Sequence, residues 1–122
     1  MAKKILVVDD SQTVRQQVEA VLSGAGFVVL SAQDGLAGAE VIENNPDLSL
    51  VICDVNMPRM NGLEMVALVK SKPQNAALPI VMLTTESQPA MIQQAKAAGA
   101  KGWIVKPFDA KALILTAQKL AG

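Results

Sequence analysis

Histidine does not occur in these 122 residues. Its absence removes Ser-His-Asp and Cys-His nucleophilic catalysis, His-ligated metal centres, and any role for the chain as a phosphohistidine donor. Aromatic residues make up 2% of a chain that is 51% hydrophobic, so Val, Ile, Leu, Met and Ala must fill the interior. The single cysteine, Cys53, excludes an internal disulfide and suits a reducing cytoplasm. Neither sign of charge is in excess. Eleven basic and eleven acidic residues cancel, which argues against a broad electrostatic footprint on nucleic acid or on an anionic membrane. No run approaches the roughly 18–20 apolar residues of a membrane span. The apolar stretch after Lys3-Lys4 stops at Asp9-Asp10, too soon for a signal peptide.

What is present is a regular alternation. The length suits one domain spanning residues 1–122, with a buried core of useful size and no linker, repeat or low-complexity segment. Short runs rich in Val, Ile and Leu predict strands near 4–8, 27–31, 49–53, 79–83 and 102–105. They are apolar at nearly every position, as in a sheet covered on both faces. Helical spacing predicts helices near 11–23, 35–44, 61–71, 87–98 and 108–120. Ser11 offers a cap for the first helix, Gly24-Ala25-Gly26 end it, and Gly99 ends the fourth. Five βα units imply right-handed crossovers and a doubly wound α/β fold with a parallel sheet.

Four of the strand-like runs end in chemistry-bearing residues. KILVV leads into Asp9-Asp10, LSLVIC into Asp54, PIVML into Thr84-Thr85, and GWIV into Lys106-Pro107. Ligands of open α/β sheets bind at the carboxyl ends of the strands. Carboxylates gathered there repel one another unless a cation sits among them, and a Lys and a Thr can receive a dianionic group. The set therefore reads as a site for Mg²⁺ and a phosphoryl group. Asp54, at the end of the middle run, is the candidate nucleophile. Asp10 and Asp54 would supply carboxylates to the cation, with the Asn56 carbonyl as a backbone oxygen. One of Asp9 and Asp10 can also serve as a helix cap. Pro107 constrains the backbone beside Lys106 and allows a cis peptide, so the ammonium can pair with Asp54 at rest. Gly62 is expected at a positive φ, and Met57 and Met60 in the core beneath the loop. The intervals between these strand-end residues each match one or two βα units, which makes coincidence a poor explanation.

With those motifs (VVDDS, CDVNMPRMNG, LTTE and GWIVKPF) the chain resembles response-regulator receiver domains over its whole length, and within them the stand-alone chemotaxis-type regulators. The resemblance implies a flavodoxin-like (βα)5 fold with strand order 2-1-3-4-5. It implies that Asp54 accepts a phosphoryl group from the phosphohistidine of a partner histidine kinase. It assigns Mg²⁺ to Asp9, Asp10 and Asp54, and phosphoryl oxygens to Thr84 and Lys106. Catalysis would be limited to self-phosphorylation and autodephosphorylation. Switching would couple Thr84 to an aromatic residue, here Trp103, where Tyr, Phe or His is more usual; indole is larger and needs a wider pocket. The signal would leave through helix four, strand five and helix five, where Met91, Ile92, Ala112 and Leu115 do not all fit one buried stripe.

Other classes fit less well. A haloacid-dehalogenase-like phosphatase would need an acid two residues after its nucleophile, where this chain has Asn56, and a nucleophile after strand one. A flavodoxin would need a hydroxyl-rich phosphate loop where this chain has acidic DDSQTV. A receiver-fold interaction domain working without phosphorylation would have no need of the five residues together. The expected output is protein contact with a motor or a further signalling protein, without an attached output domain; a receiver taken from a longer signalling protein is the alternative. No nucleic-acid or membrane partner is expected, and the expected location is cytoplasmic.

Overall fold

The strands are Lys4–Val8 (β1), Val28–Ala32 (β2), Leu48–Cys53 (β3), Ile80–Thr84 (β4) and Gly102–Val105 (β5). Between and after them run the helices Gln12–Gly24 (α1), Gly35–Asn44 (α2), Gly62–Lys70 (α3), Pro89–Ala98 (α4) and Ala110–Ala121 (α5). This is a computed structural model and describes residues 2–121; Met1 and Gly122, the ends of the expected 1–122 domain, lie outside the described residues. Local chemistry sets the helix starts. Ser11 caps α1, Asp34 caps α2, and Asn61 with Glu64 forms a reciprocal capping box at α3. The last two helices begin later than the spacing predicts. Gln88 is still extended, so Pro89 takes the first turn of α4, and Asp109 accepts the Ala112 N–H at the head of α5. A 3₁₀ turn at Pro73–Asn75 was not expected.

The sheet is parallel throughout, in the order β2-β1-β3-β4-β5. Strand alternation divides the interior into two layers. Leu6, Val8, Val51, Cys53, Ile80 and Met82 face α2, α3 and α4, while Ile5, Val7, Leu50, Ile52, Val81 and Leu83 face α1 and α5. β3 breaks the alternation once. Lys4 pairs with Leu48 but Ile5 pairs with Leu50, so Ser49 is an extra residue, and Leu48 and Leu50 point to opposite layers. The outer strands β2 and β5 are less buried than the middle three. No helix among the described residues is long and apolar enough to cross a membrane.

From β1 the chain moves outward to β2, then crosses back to β3 and proceeds the other way. The crevice above the carboxyl ends of β1 and β3 is therefore the switch point where such sheets bind ligands. Val8 is level with Cys53, so the residues that follow, Asp9 and Asp54, are neighbours, and the Asp54 N–H donates to the Val8 carbonyl at 2.9 Å. Gly62 corrects the expectation of a positive φ, which among the described glycines belongs to Gly26 and Gly99. Gly62 is required for a different reason. A Cβ there would lie 2.0 Å from the Asp54 carbonyl oxygen, so α3 could not start so close beneath the Asp54 backbone.

Candidate functional site

Three carboxylates meet at that crevice. Asp9, Asp10 and Asp54 each place an oxygen within 4.8 Å of the others. Asp9 and Asp54 are buried and Asp10 is exposed, so the cluster has a closed floor and an open mouth. The floor is tightly bonded. Asp9 Oδ1 accepts the Ser11 N–H at 2.9 Å, its carbonyl accepts Arg15 Nη1 at 2.6 Å, and Asp54 Oδ1 accepts the Val55 N–H at 2.7 Å.

Lys106 reaches the same crevice from the end of β5. Its Nζ donates to Asp9 Oδ2 at 2.8 Å and to Asp54 Oδ2 at 3.2 Å. The expected pairing with Asp54 is thus shared, and Asp9 is the closer partner. The Lys106–Pro107 peptide is cis, and the Lys106 N–H donates to the Thr84 carbonyl at 2.8 Å. One ammonium balances only part of the charge of three acids, and the remainder leaves a donor set made wholly of hard oxygen. Such a set suits a small hard cation and not a soft one.

Burial pushes the Asp9 carboxyl above its ordinary range; the Lys106 and Ser11 hydrogen bonds pull it back in part, and the charge of Asp54 adds to the rise. Burial works against the Lys106 ammonium, but its hydrogen bond to Asp9 and the charges of Asp9 and Asp54 outweigh that and raise it. Cys53, buried behind Asp54, is pushed up by burial and then by the two acids, which makes it an inert thiol.

Thr84, fully buried at the end of β4, accepts the Glu86 N–H on its Oγ1 at 3.2 Å. Asn56 lies exposed on the β3–α3 loop, and its side-chain amide donates to Glu86 Oε1 at 3.0 Å. The structure thus gathers Asp9, Asp10, Asp54 and Lys106 into one cluster, and connects Thr84 and Asn56 to each other through Glu86.

The family model described as "Response regulator receiver domain" matches residues 5–118. The chain belongs to that family. The receiver is 42% identical over 111 residues to chemotaxis protein CheY1 of Helicobacter pylori, covering 90% of each chain. It is 40% identical to the chemotaxis protein CheY homolog of Campylobacter jejuni, covering 90% of this chain and 85% of that one. Among solved structures, chemotaxis protein CheY4 of Vibrio cholerae is similar at a TM-score of 0.92 and 42% identity, covering 98% of this chain and 99% of that one. These matches establish the flavodoxin-like receiver fold with its 2-1-3-4-5 order and place the receiver in two-component signal transduction.

In the receiver Trp103 stands apart from the acids. It is level with Met82 on β4 and packs against the α2–α3–α4 layer, and its Nε1–H donates to the Glu86 carbonyl at 2.8 Å. The larger indole is thus accommodated half-buried with its polar atom satisfied. Glu86 meets three of the candidate residues and was given no role from sequence. Its place after Thr84-Thr85 was the available signal, but a lone acid in a loop carries little information. Two further contacts were not legible: Arg15 on the Asp9 carbonyl, and an ion pair between Asp34 and Arg59.

Proposed function

We propose that this receiver accepts a phosphoryl group on Asp54 from a histidine kinase, in a Mg²⁺-dependent reaction, and signals through a protein contact. The observation that carries the reading is the cluster itself: three carboxylates within 4.8 Å at the switch point, with Lys106 hydrogen-bonded to two of them. Asp9, Asp10, Asp54 and the Asn56 carbonyl would hold Mg²⁺, which when bound neutralises negative charge on the acids and the incoming phosphoryl group. An Asp54 carboxylate oxygen attacks phosphorus. The O–P bond forms as the P–N bond of the donor phosphohistidine breaks, and the electron pair leaves with the imidazole nitrogen, which takes up a proton. Lys106 Nζ, fixed over Asp54, then donates to a phosphoryl oxygen. The Thr84 hydroxyl, whose oxygen now accepts from Glu86, keeps its own proton free to donate to another. The protein supplies positioning and charge, with hydrolysis of its own acyl phosphate as the only turnover.

The signal leaves through the face of α4, β5 and α5. Val105 is 45% and Leu115 is 65% exposed there, more apolar surface than core packing requires, which suits a protein partner. Met91 instead packs against the interior layer. The neutral net charge and lone reduced cysteine suit a cytoplasmic protein that binds neither nucleic acid nor membrane.

Acetyl phosphate with Mg²⁺ should add one phosphoryl group to the chain, seen by intact mass. Asp54→Asn and Asp54→Ala should abolish it. Labelling of either variant at the normal extent would remove Asp54 as the acceptor.

A further inference from the structure

The loop between Asp54 and α3 is held at a point the mechanism does not use. Arg59 is the non-glycine residue with a positive φ among those described, at 66°. It forms the apex of a three-residue turn closed by the Met60 N–H on the Pro58 carbonyl at 2.7 Å. A side chain at such an apex is strained, so contacts outside the turn must hold it. Arg59 makes them with both arms of its guanidinium: Nε and Nη2 donate to Asp34 Oδ2 at 3.0 and 2.5 Å. Asp34 is 2% exposed, and its other oxygen accepts the Ala37 N–H at 2.9 Å, which fixes the carboxylate to the head of α2. Beside the pair, the Gly35 N–H donates to the Met60 carbonyl at 3.0 Å, and a Cβ on Gly35 would lie 2.5 Å from that same oxygen. The two loops therefore touch backbone to backbone.

The near end of the loop is fixed as well, by Gly62 N–H on the Val55 carbonyl at 2.8 Å. Asn56 hangs between these two anchors, with the rigid ring of Pro58 between it and Arg59. We propose that the Asp34–Arg59 pair is a clamp that sets the position of the Asn56 carbonyl, and through it the affinity of the acid cluster for Mg²⁺. The inference rests on the reading of that carbonyl as a ligand. Mg²⁺ tolerates little departure from octahedral geometry, so a loop released at Arg59 loses affinity although no ligand has been changed. Asp34 and Arg59 act as positioning residues.

Isothermal titration with MgCl2 on the intact chain tests this. Arg59→Asn keeps a residue that tolerates the positive φ but lacks the guanidinium fork. Asp34→Ser keeps a helix cap but lacks the charge. Each should raise the Mg²⁺ dissociation constant on the order of tenfold. The double variant should be no worse than either single one, because the pair acts as a unit. Arg59→Lys, with one donor arm in place of two, should fall between Arg59→Asn and the parent. A merely structural role would lower the metal-free Tm and leave the dissociation constant unchanged, and that result, or effects that add in the double variant, overturns the clamp. Absence of Mg²⁺ binding by the parent chain would overturn the cation reading and the clamp together.

Discussion

Asp10 is the exposed member of a set whose other acids are buried, and that difference decides what its removal does. Its carboxylate contributes oxygen to the mouth of the cluster and like charge to the two acids beneath. Asp10→Ala should weaken Mg²⁺ binding at least tenfold. Without metal it should raise Tm by roughly 2–5 °C, a modest gain because solvent screens the repulsion it removes. Titration calorimetry and thermal unfolding in EDTA read the two effects separately, and an unchanged Mg²⁺ dissociation constant would remove Asp10 from the ligand set. The acids, Thr84 and Lys106 were legible because each directly ends a run whose strand character is plain, so chain position alone brings them to one edge. Asp34 and Arg59 were not. They are 25 residues apart on different loops, and nothing local marks either as the partner of the other.

At the scale of elements, Gly62 joins α3 to the site. Its Cα lies so near the Asp54 backbone that an added methyl would also come within 2.9 Å of the Asp54 carbonyl carbon and of Met82 Cε. The Met82 methyl can yield, but the strand-end backbone cannot. Gly62→Ala should therefore cost about 1–3 kcal/mol in urea unfolding, and displace Asp54 enough to slow labelling by acetyl phosphate. Normal stability in this variant would mean that α3 can move away freely, contrary to its tight packing. The β-strands were legible to within one residue at each end, because apolar runs bounded by polar residues mark them sharply. Helix starts were less so. The residues before Pro89 and Ala110 are compatible with helix by composition, and only the capping geometry excludes them. The 3₁₀ turn at Pro73–Asn75 lay hidden in a stretch that reads as plain loop; Lys70 Nζ braces that stretch by donating to the carbonyls of Asn75, Ala76 and Leu78.

Across the whole molecule, the site and β5 are linked through one short loop. The Glu86 N–H is bonded to Thr84 Oγ1 and its carbonyl holds the Trp103 indole, so a Thr84 side chain drawn toward a phosphoryl group disturbs the loop that anchors Trp103. Beryllofluoride added with Mg²⁺ should change the fluorescence of Trp103, the sole tryptophan, beyond the change produced by Mg²⁺ alone. In Thr84→Ala that additional change should vanish. Its survival at full size would show that Trp103 senses the ligand by another route.

The extra residue at Ser49 has a consequence for where this chain tolerates insertion and loss. β3 is read in two phases: one set by Leu48 at the amino end of the sheet, the other running from Leu50 to Asp54. Because the phase resets at Ser49, a length change in the preceding turn at Asn45–Asp47 can be absorbed there before it reaches the carboxyl edge. Past Ser49 there is no such slack. A single-residue slip between Leu50 and Cys53 would exchange the two layers and turn Asp54 away from Asp9 and Lys106. The sheet thus has a forgiving margin and an unforgiving one, and the acid cluster sits on the second.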